Sequence, residues 1–326
     1  MLRLVLLVLF VAPLAGCYYV QAAKGQWELT RKREPIAEVL EDEDTAPDLA
    51  ARLRLVQEAR QFSIDELGLP DKKSYRSYAD IERDYVVWTV FAAPEFSMQA
   101  KTWCFPIAGC VSYRGYFSKE DAQREADRMA DEGYDVAVGG VAAYSTLGKL
   151  NDPVVSSMMN WDDTQLVGVL FHELAHQVLY VKGDSGFNES FATAVEEFGV
   201  RRWLEARGEI GDFEKYLGQR KLRQDLMGLV AAARDELQTV YEAPLSDDEK
   251  RETKSRRLAK LAADVAARLT ESGRDPGNWL SAELNNARLV SMTLYEGRLP
   301  EFRALFDRCN HRVECFYAQA KALAGR

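Results

Sequence analysis

The chain has 326 residues, 47% of them hydrophobic and only 10 of them proline, which suffices for one large domain or two small ones with a sizeable core. Its 42 basic and 51 acidic residues leave a net charge of −9. Phosphate binding needs clustered Lys and Arg, so this balance does not suit nucleic acid or an anionic membrane surface, whereas a peptide substrate is compatible with it.

In chain order, residues 1–17 read as a targeting segment. Arg3 supplies a minimal charged start, and Leu4 to Ala12 is an apolar run too short to span a bilayer. The segment ends in Leu14-Ala15-Gly16-Cys17, which resembles the bacterial lipobox. That resemblance implies acylation of Cys17 as the mature N-terminus. Tyr18, where an aspartate would retain the protein, implies sorting to the outer membrane. The alternative is an ordinary signal peptide with an incidental cysteine. No later hydrophobic run is long enough to span, so the mature chain is expected to be anchored by lipid and to face the periplasm.

Residues 18–47 are polar, with the acid cluster Glu41 to Asp44, and read as a tether or loop. Asp48 to Leu67 has a helical stripe of Leu49, Leu53, Val56 and Ala59, ended by Gly68 and Pro70. Asp84 to Phe96 is strand-like, and Trp103 to Phe117 reads as a hairpin or extended loop. Ser118 to Glu132 opens with Ser-x-x-Asp, a helix start, and stops before Gly133. Tyr134 to Thr146 returns to strand character. From Thr164 onward the pattern is mostly helical. Within it, Asp247 to Leu269 aligns Leu258, Leu261, Val265 and Leu269 as a solvated amphipathic cover, a partner-binding helix being the alternative. A small mixed sheet before a helical half predicts an α+β domain over residues 48–326.

Without Cys17, four cysteines remain as two Cys-x5-Cys pairs: Cys104 with Cys110, and Cys309 with Cys315. An even number in an oxidising compartment favours disulfides, and local pairing closes each small loop without tertiary help. A second metal site is the weaker alternative, since the spacer is long for one and no histidine accompanies Cys104.

The chemistry concentrates near the middle of the chain. Two of only three histidines, His172 and His176, lie four apart in a segment with helical pattern from Thr164 to Val181. Four residues is about one turn, so both imidazoles project from one face and can hold a single Zn²⁺, with Glu173 beside the open position. Neutral imidazoles leave the ion its Lewis acidity, and a neighbouring carboxylate can take a proton from water that the ion acidifies.

Gln177 to Lys182 read as the end of that helix and Gly183 to Gly186 as a turn. A second helix then runs to about Arg207. Tight reversal brings Glu189 to the depth of His176, as the third ligand of a three-ligand catalytic site. Glu196 and Glu197 are the rivals for that position, two turns deeper. Glu196, seven residues beyond Glu189 on the same face, reads as a hydrogen-bond partner for a zinc histidine or as a partly buried helix carboxylate.

His172-Glu173-x-x-His176 followed by Asn188-Glu189-Ser190-Phe191-Ala192 resembles the gluzincin metallopeptidases, and most closely their aminopeptidase branch. The spacer from His176 to Glu189 is shorter than in that group, and Thr193 stands where an aspartate often orients a zinc histidine. No Gly-x-Met-Glu-Asn segment, which reads a free amine in that branch, is present. Taken whole, the chain resembles a family of bacterial aminopeptidase lipoproteins through Phe105 to Phe117, His172 to Gln177, Asn188 to Ala192 and Asn285-Asn286-Ala287. The resemblance implies a Tyr or His that stabilises the oxyanion. Tyr295 is the first candidate, and His311 reads rather as a loop residue. Asn285 and Asn286 bind the substrate backbone or cap a helix, the two readings being even. By analogy, the strand Val136 to Thr146 offers an edge to an extended peptide. The function expected is zinc-dependent peptide hydrolysis, as an aminopeptidase using one Zn²⁺ with Glu173 as general base. The alternatives are an envelope endopeptidase and a non-catalytic zinc-binding scaffold. Oligomeric state is not legible.

Overall fold

A computed structural model describes residues 18–105, 109–143, 145–146, 150–277, 283–292 and 298–325. The fold is α+β, as the order of patterns requires. Its elements begin with α1 (18–31), β1 (Arg33–Pro35), α2 (Ile36–Glu41) and α3 (Pro47–Asp65). Five strands follow: β2 (Ser77–Ala79), β3 (Val87–Pro94), β4 (Trp103–Phe105), β5 (Gly109–Val111) and β6 (Arg114–Tyr116). Next come α4 (Lys119–Asp131), β7 (Tyr134–Val141) and β8 (Val154–Val155). The helical half comprises α5 (Asp163–Ala175), α6 (Ser185–Arg207), α7 (Gly211–Glu242) and α8 (Asp247–Glu271). It closes with α9 (Asn286–Met292), α10 (Leu299–Arg308) and α11 (Val313–Ala324).

The segment expected as a tether is folded onto the domain. Leu29, Ile36 and Val39 are buried, and β1 pairs antiparallel with β2. The single mixed sheet expected is instead three small sheets: β1-β2-β8, β6-β3-β7 and the hairpin β4-β5. Only the first is mixed, since β2 pairs parallel with β8. The cysteines pair locally. Cys104 and Cys110 are directly opposed across the hairpin, and Cys309 and Cys315 join the end of α10 to α11.

Alternation along β3 gives it two buried faces. Val90 and Ala92 turn toward α4, while Phe91 and Ala93 pack with Leu226, Val230 and Leu237 of α7 and Leu261 and Val265 of α8. α8 starts at a capping box of Ser246 and Glu249 and buries Leu261, Val265 and Leu269, which makes it a cover over the sheet. A separate core gathers α3, α5, α6, α10 and α11. α7, 32 residues and so about 48 Å long, enters both cores, with Tyr216 in the second and Leu222 to Tyr241 in the first.

Candidate metal centre

α5 begins where the Asp162 side chain accepts from the Gln165 N–H, and it buries Leu166, Val167, Leu170, Phe171 and Leu174. It ends at Ala175, with His176 as its C-cap, one to two turns before the expected Lys182. Tight i→i+3 bonds, from Gln177 N to Leu174 O and from Val178 N to Ala175 O, close it. The connecting segment is then clamped by Asn188, whose side-chain oxygen accepts from Val181 N at 2.7 Å and whose amide donates to Val181 O at 2.8 Å. Asn188 is 2% exposed. The Asn preceding Glu189 thus fixes the approach to α6, which starts at the Asp184 cap.

This geometry turns Glu189, in the second turn of α6, toward both imidazoles. His172 Nε2 lies 3.1 Å from Glu189 Oε2, and His176 Nε2 lies 3.7 Å from Glu189 Oε1. One donor atom from each of the three residues falls within 4.8 Å of the others, so the group could hold a metal ion. Tetrahedral zinc with ligands at about 2.0–2.1 Å sets them about 3.4 Å apart, and the two observed separations bracket that spacing.

The far side of His172 is also held. Its Nδ1 lies 3.1 Å from Glu196 Oε2, and Glu196 Oε1 accepts from Tyr216 Oη at 2.8 Å and from Arg220 at 2.9 Å. Glu197 faces away from the two histidines, in ion pairs with Arg220 and Arg303. Burial alone would depress the pKa of His172, but hydrogen bonds to Glu189 and Glu196 raise it to about 10. His176, buried and beside the charged His172, is pushed down to about 4. Burial opposes ionisation of Glu189 and Glu196, yet their bonds to His172 keep both carboxyls below the ordinary range. The Glu189 carboxylate, which faces both Nε2 atoms, places negative charge where a divalent cation would sit. His176 Nδ1 is buried with no hydrogen-bond partner among the described residues, so its ring is not already committed to another site. The donor set therefore fits Zn²⁺.

Glu173 stands beside this group. Burial raises its pKa, with the charge of Glu189 adding and that of His172 opposing. Ser145 hydrogen-bonds the Glu173 carboxyl and also reaches the Tyr75 phenol. Tyr75 is 3% exposed and adopts a left-handed backbone, φ 60°, with its N–H on Asp152 O at 2.7 Å. Such a conformation in a bulky residue marks a position held by its surroundings. Tyr113 and Tyr180 interact with members of the group. The Tyr113 phenol is raised by burial and then by Tyr180 and Glu189, and the Tyr180 ring meets that of His176 edge-on at 6.3 Å.

Other expected residues lie elsewhere. Asn285 caps α9 through Arg288 N and donates to Val136 O. Asn286, fully buried, bonds Pro94 O, Glu95 O, Ser97 O, Asp135 and Tyr241. Both are structural clamps between α9 and the sheet, which decides against the substrate-binding alternative. His311 is exposed beside Asp307 and Phe306, away from the group. β7 is an edge strand, with Asn285 on its carbonyl at Val136 and no second strand partner among the described residues. Tyr295 and Cys17 lie outside the described residues. Sequence reading missed Tyr75, Tyr113, Ser145, Tyr180, Tyr216 and Arg220. The signal for Arg220 was present: adjacent acids, Glu196-Glu197, flanked by the buried Val195 and Phe198, require cationic partners.

The site defines a class first: an α+β protein whose two antiparallel helices bring two histidines and a glutamate together beside a buried carboxyl. The chain belongs to the family described as "putative aminopeptidase", whose model matches residues 17–326. Peptide hydrolysis is the activity that goes with that family. No curated protein and no solved structure matches the chain.

Proposed function

We propose that the protein is a zinc-dependent peptidase, acting as an aminopeptidase, in which His172, His176 and Glu189 hold one Zn²⁺ and Glu173 is the general base. The observation that carries this reading is the convergence of two Nε2 atoms on one carboxylate, with a second carboxyl alongside whose pKa is raised. Bound zinc would supply Lewis acidity to the scissile carbonyl and acidify a water molecule. Glu173 takes the proton of the attacking water and passes it to the leaving amine. Its raised pKa favours the return of that proton to the leaving amine. Ser145, itself bonded to the Tyr75 phenol, holds the carboxyl in place. Glu196 accepts from His172 Nδ1, which fixes the ring and its tautomer. Tyr295 is the expected donor to a developing oxyanion, and Tyr113 and Tyr180, which interact with Glu189 and His176, are further phenols able to donate there. Anchoring through an acylated Cys17 would place the enzyme on the periplasmic side of an outer membrane.

Zinc analysis combined with Glu173→Gln tests the chemistry. The variant should keep one zinc per chain and lose at least about 10²-fold in turnover. Full turnover would remove Glu173 from the mechanism. Paired peptides test the specificity: free N-termini should be cleaved and acetylated ones refused. Equal cleavage of both would make the enzyme an endopeptidase.

A further inference from the structure

α1 is amphipathic in a way that only its packing reveals. Its inner face carries Tyr18, stacked on Phe105 at 5.1 Å, Gln21, bonded to Gly115 O and Phe117 N, and the buried Gly25 and Leu29. Gly25 lies so close to Phe117 that an added Cβ would stand 2.0 Å from the ring. The helix is therefore seated firmly on the domain.

Its outer face is different. Tyr19 is 46% exposed, Val20 67% and Trp27 62%. Eight large hydrophobic side chains are exposed among the described residues, so three of them sit on this one short helix. Lys24 and Arg31 lie on the same face, with Arg31 over the Trp27 ring at 5.1 Å. The acid on this helix, Glu28, is turned aside into an ion pair with Arg83. Aromatic rings with basic side chains that can extend past them are the composition of a helix lying in a bilayer interface. The chain's overall acidity does not reach this face.

What covers the face follows from the chain that precedes it. Cys17 is covalently next to Tyr18, and consecutive Cα atoms are about 3.8 Å apart. With residues 18–31 helical and docked, no tether separates the cysteine from the domain. We propose that the outer face of α1, through Tyr19, Val20, Trp27, Lys24 and Arg31, rests in the headgroup layer of the membrane that anchors the chain. This rests on acylation of Cys17. The consequence is an oriented enzyme. Gln21 of α1 bonds Gly115, two residues beyond Tyr113, whose phenol feels the charge of Glu189. The helix that meets the bilayer is thereby seated on the segment that carries Tyr113.

The test reconstitutes the mature chain, with its native N-terminus, into phosphatidylethanolamine–phosphatidylglycerol vesicles, and compares it with Trp27→Phe. The difference in emission between the two isolates Trp27. It should be quenched by brominated acyl chains, and its quenching by aqueous acrylamide should fall about twofold or more relative to detergent-free vesicle-less protein. Mass spectrometry of the N-terminal peptide separates the two ways to fail. An unacylated Cys17 removes the anchor and this inference together. An acylated Cys17 with Trp27 still open to acrylamide overturns the inference and leaves the anchor standing. Trp27 shielded from acrylamide yet untouched by brominated lipid assigns the face to a protein partner, and overturns it as well.

Discussion

His172 is gripped from two sides, with Glu189 at 3.1 Å on Nε2 and Glu196 at 3.1 Å on Nδ1. Because those carboxylates raise its pKa to about 10, zinc bound as proposed would have to displace a proton there. Zinc affinity should therefore rise with pH, with proton release on binding, as calorimetry in buffers of different ionisation enthalpy would show. Removing the support behind the ring isolates its contribution. Glu196→Gln should weaken zinc binding about 10- to 100-fold, and Arg220→Met less, since Tyr216 still donates to Glu196. Unchanged affinity in both variants, measured by competition with a chelator, would reduce the pair to a structural ion pair. Under the proposed mechanism, Glu173 gives the pH dependence of the reaction. A base works when deprotonated, and burial raises this carboxyl above the ordinary 4.5. The acid limb of kcat/KM should therefore fall off above pH 4.5, with zinc content constant across the limb. A limb that tracks zinc loss would assign it to the ligands instead.

Among the elements, the helix pair α5–α6 decides whether the ligands meet. Gly199 allows its closest approach, because a Cβ there would stand 2.8 Å from both Phe171 and Leu67. Gly199→Ala should cost about 1–3 kcal/mol by overpacking, and it should lower zinc affinity by moving α6 relative to His172. Thermal unfolding with and without zinc measures both. Gly218, with nothing within 4 Å of an added Cβ, is the matched control on an exposed face of α7, where Ala should be neutral or mildly stabilising.

For the molecule as a whole, two cores share one long helix. α7 brings Tyr216 and Arg220 to the metal helices and, further along, packs on the sheet with α8 and α9. The Cys309–Cys315 disulfide holds α11 against the core that contains α5 and α6. Replacing both cysteines with serine should cost about 2 kcal/mol, the loop-closure value for so short a loop. Unfolding in denaturant should show this as a lower midpoint with the zinc group still competent. An unchanged midpoint would show that Phe302 and Phe316, both fully buried, hold α10 and α11 without it.

What was legible in the sequence was confined to short range. Apolar spacing located α3 and α8, a Ser-x-x-Asp start and a glycine stop located α4, and the small loops between cysteines set their pairing, because each depends on neighbours within a turn or a few residues. His172, Glu173 and His176 were legible for the same reason, and Glu189 because one tight turn sets its depth. The structure decided what depends on distant partners. Residues 18–31 looked polar because their inner face is only Tyr18, Gln21, Gly25 and Leu29, too mixed to show a period, and the helix is secured by Phe105, Gly115 and Phe117 far along the chain. α5 ended early because Asn188 captures Val181. Arg220 lies 24 residues from Glu196: the paired acids called for a cation, but nothing local names which one answers across that separation. Local periodicity and turn chemistry located α3, α8 and the three residues that could hold a metal ion. Which buried charges were answered, and which helix face was left open, were settled only when the chain closed on itself.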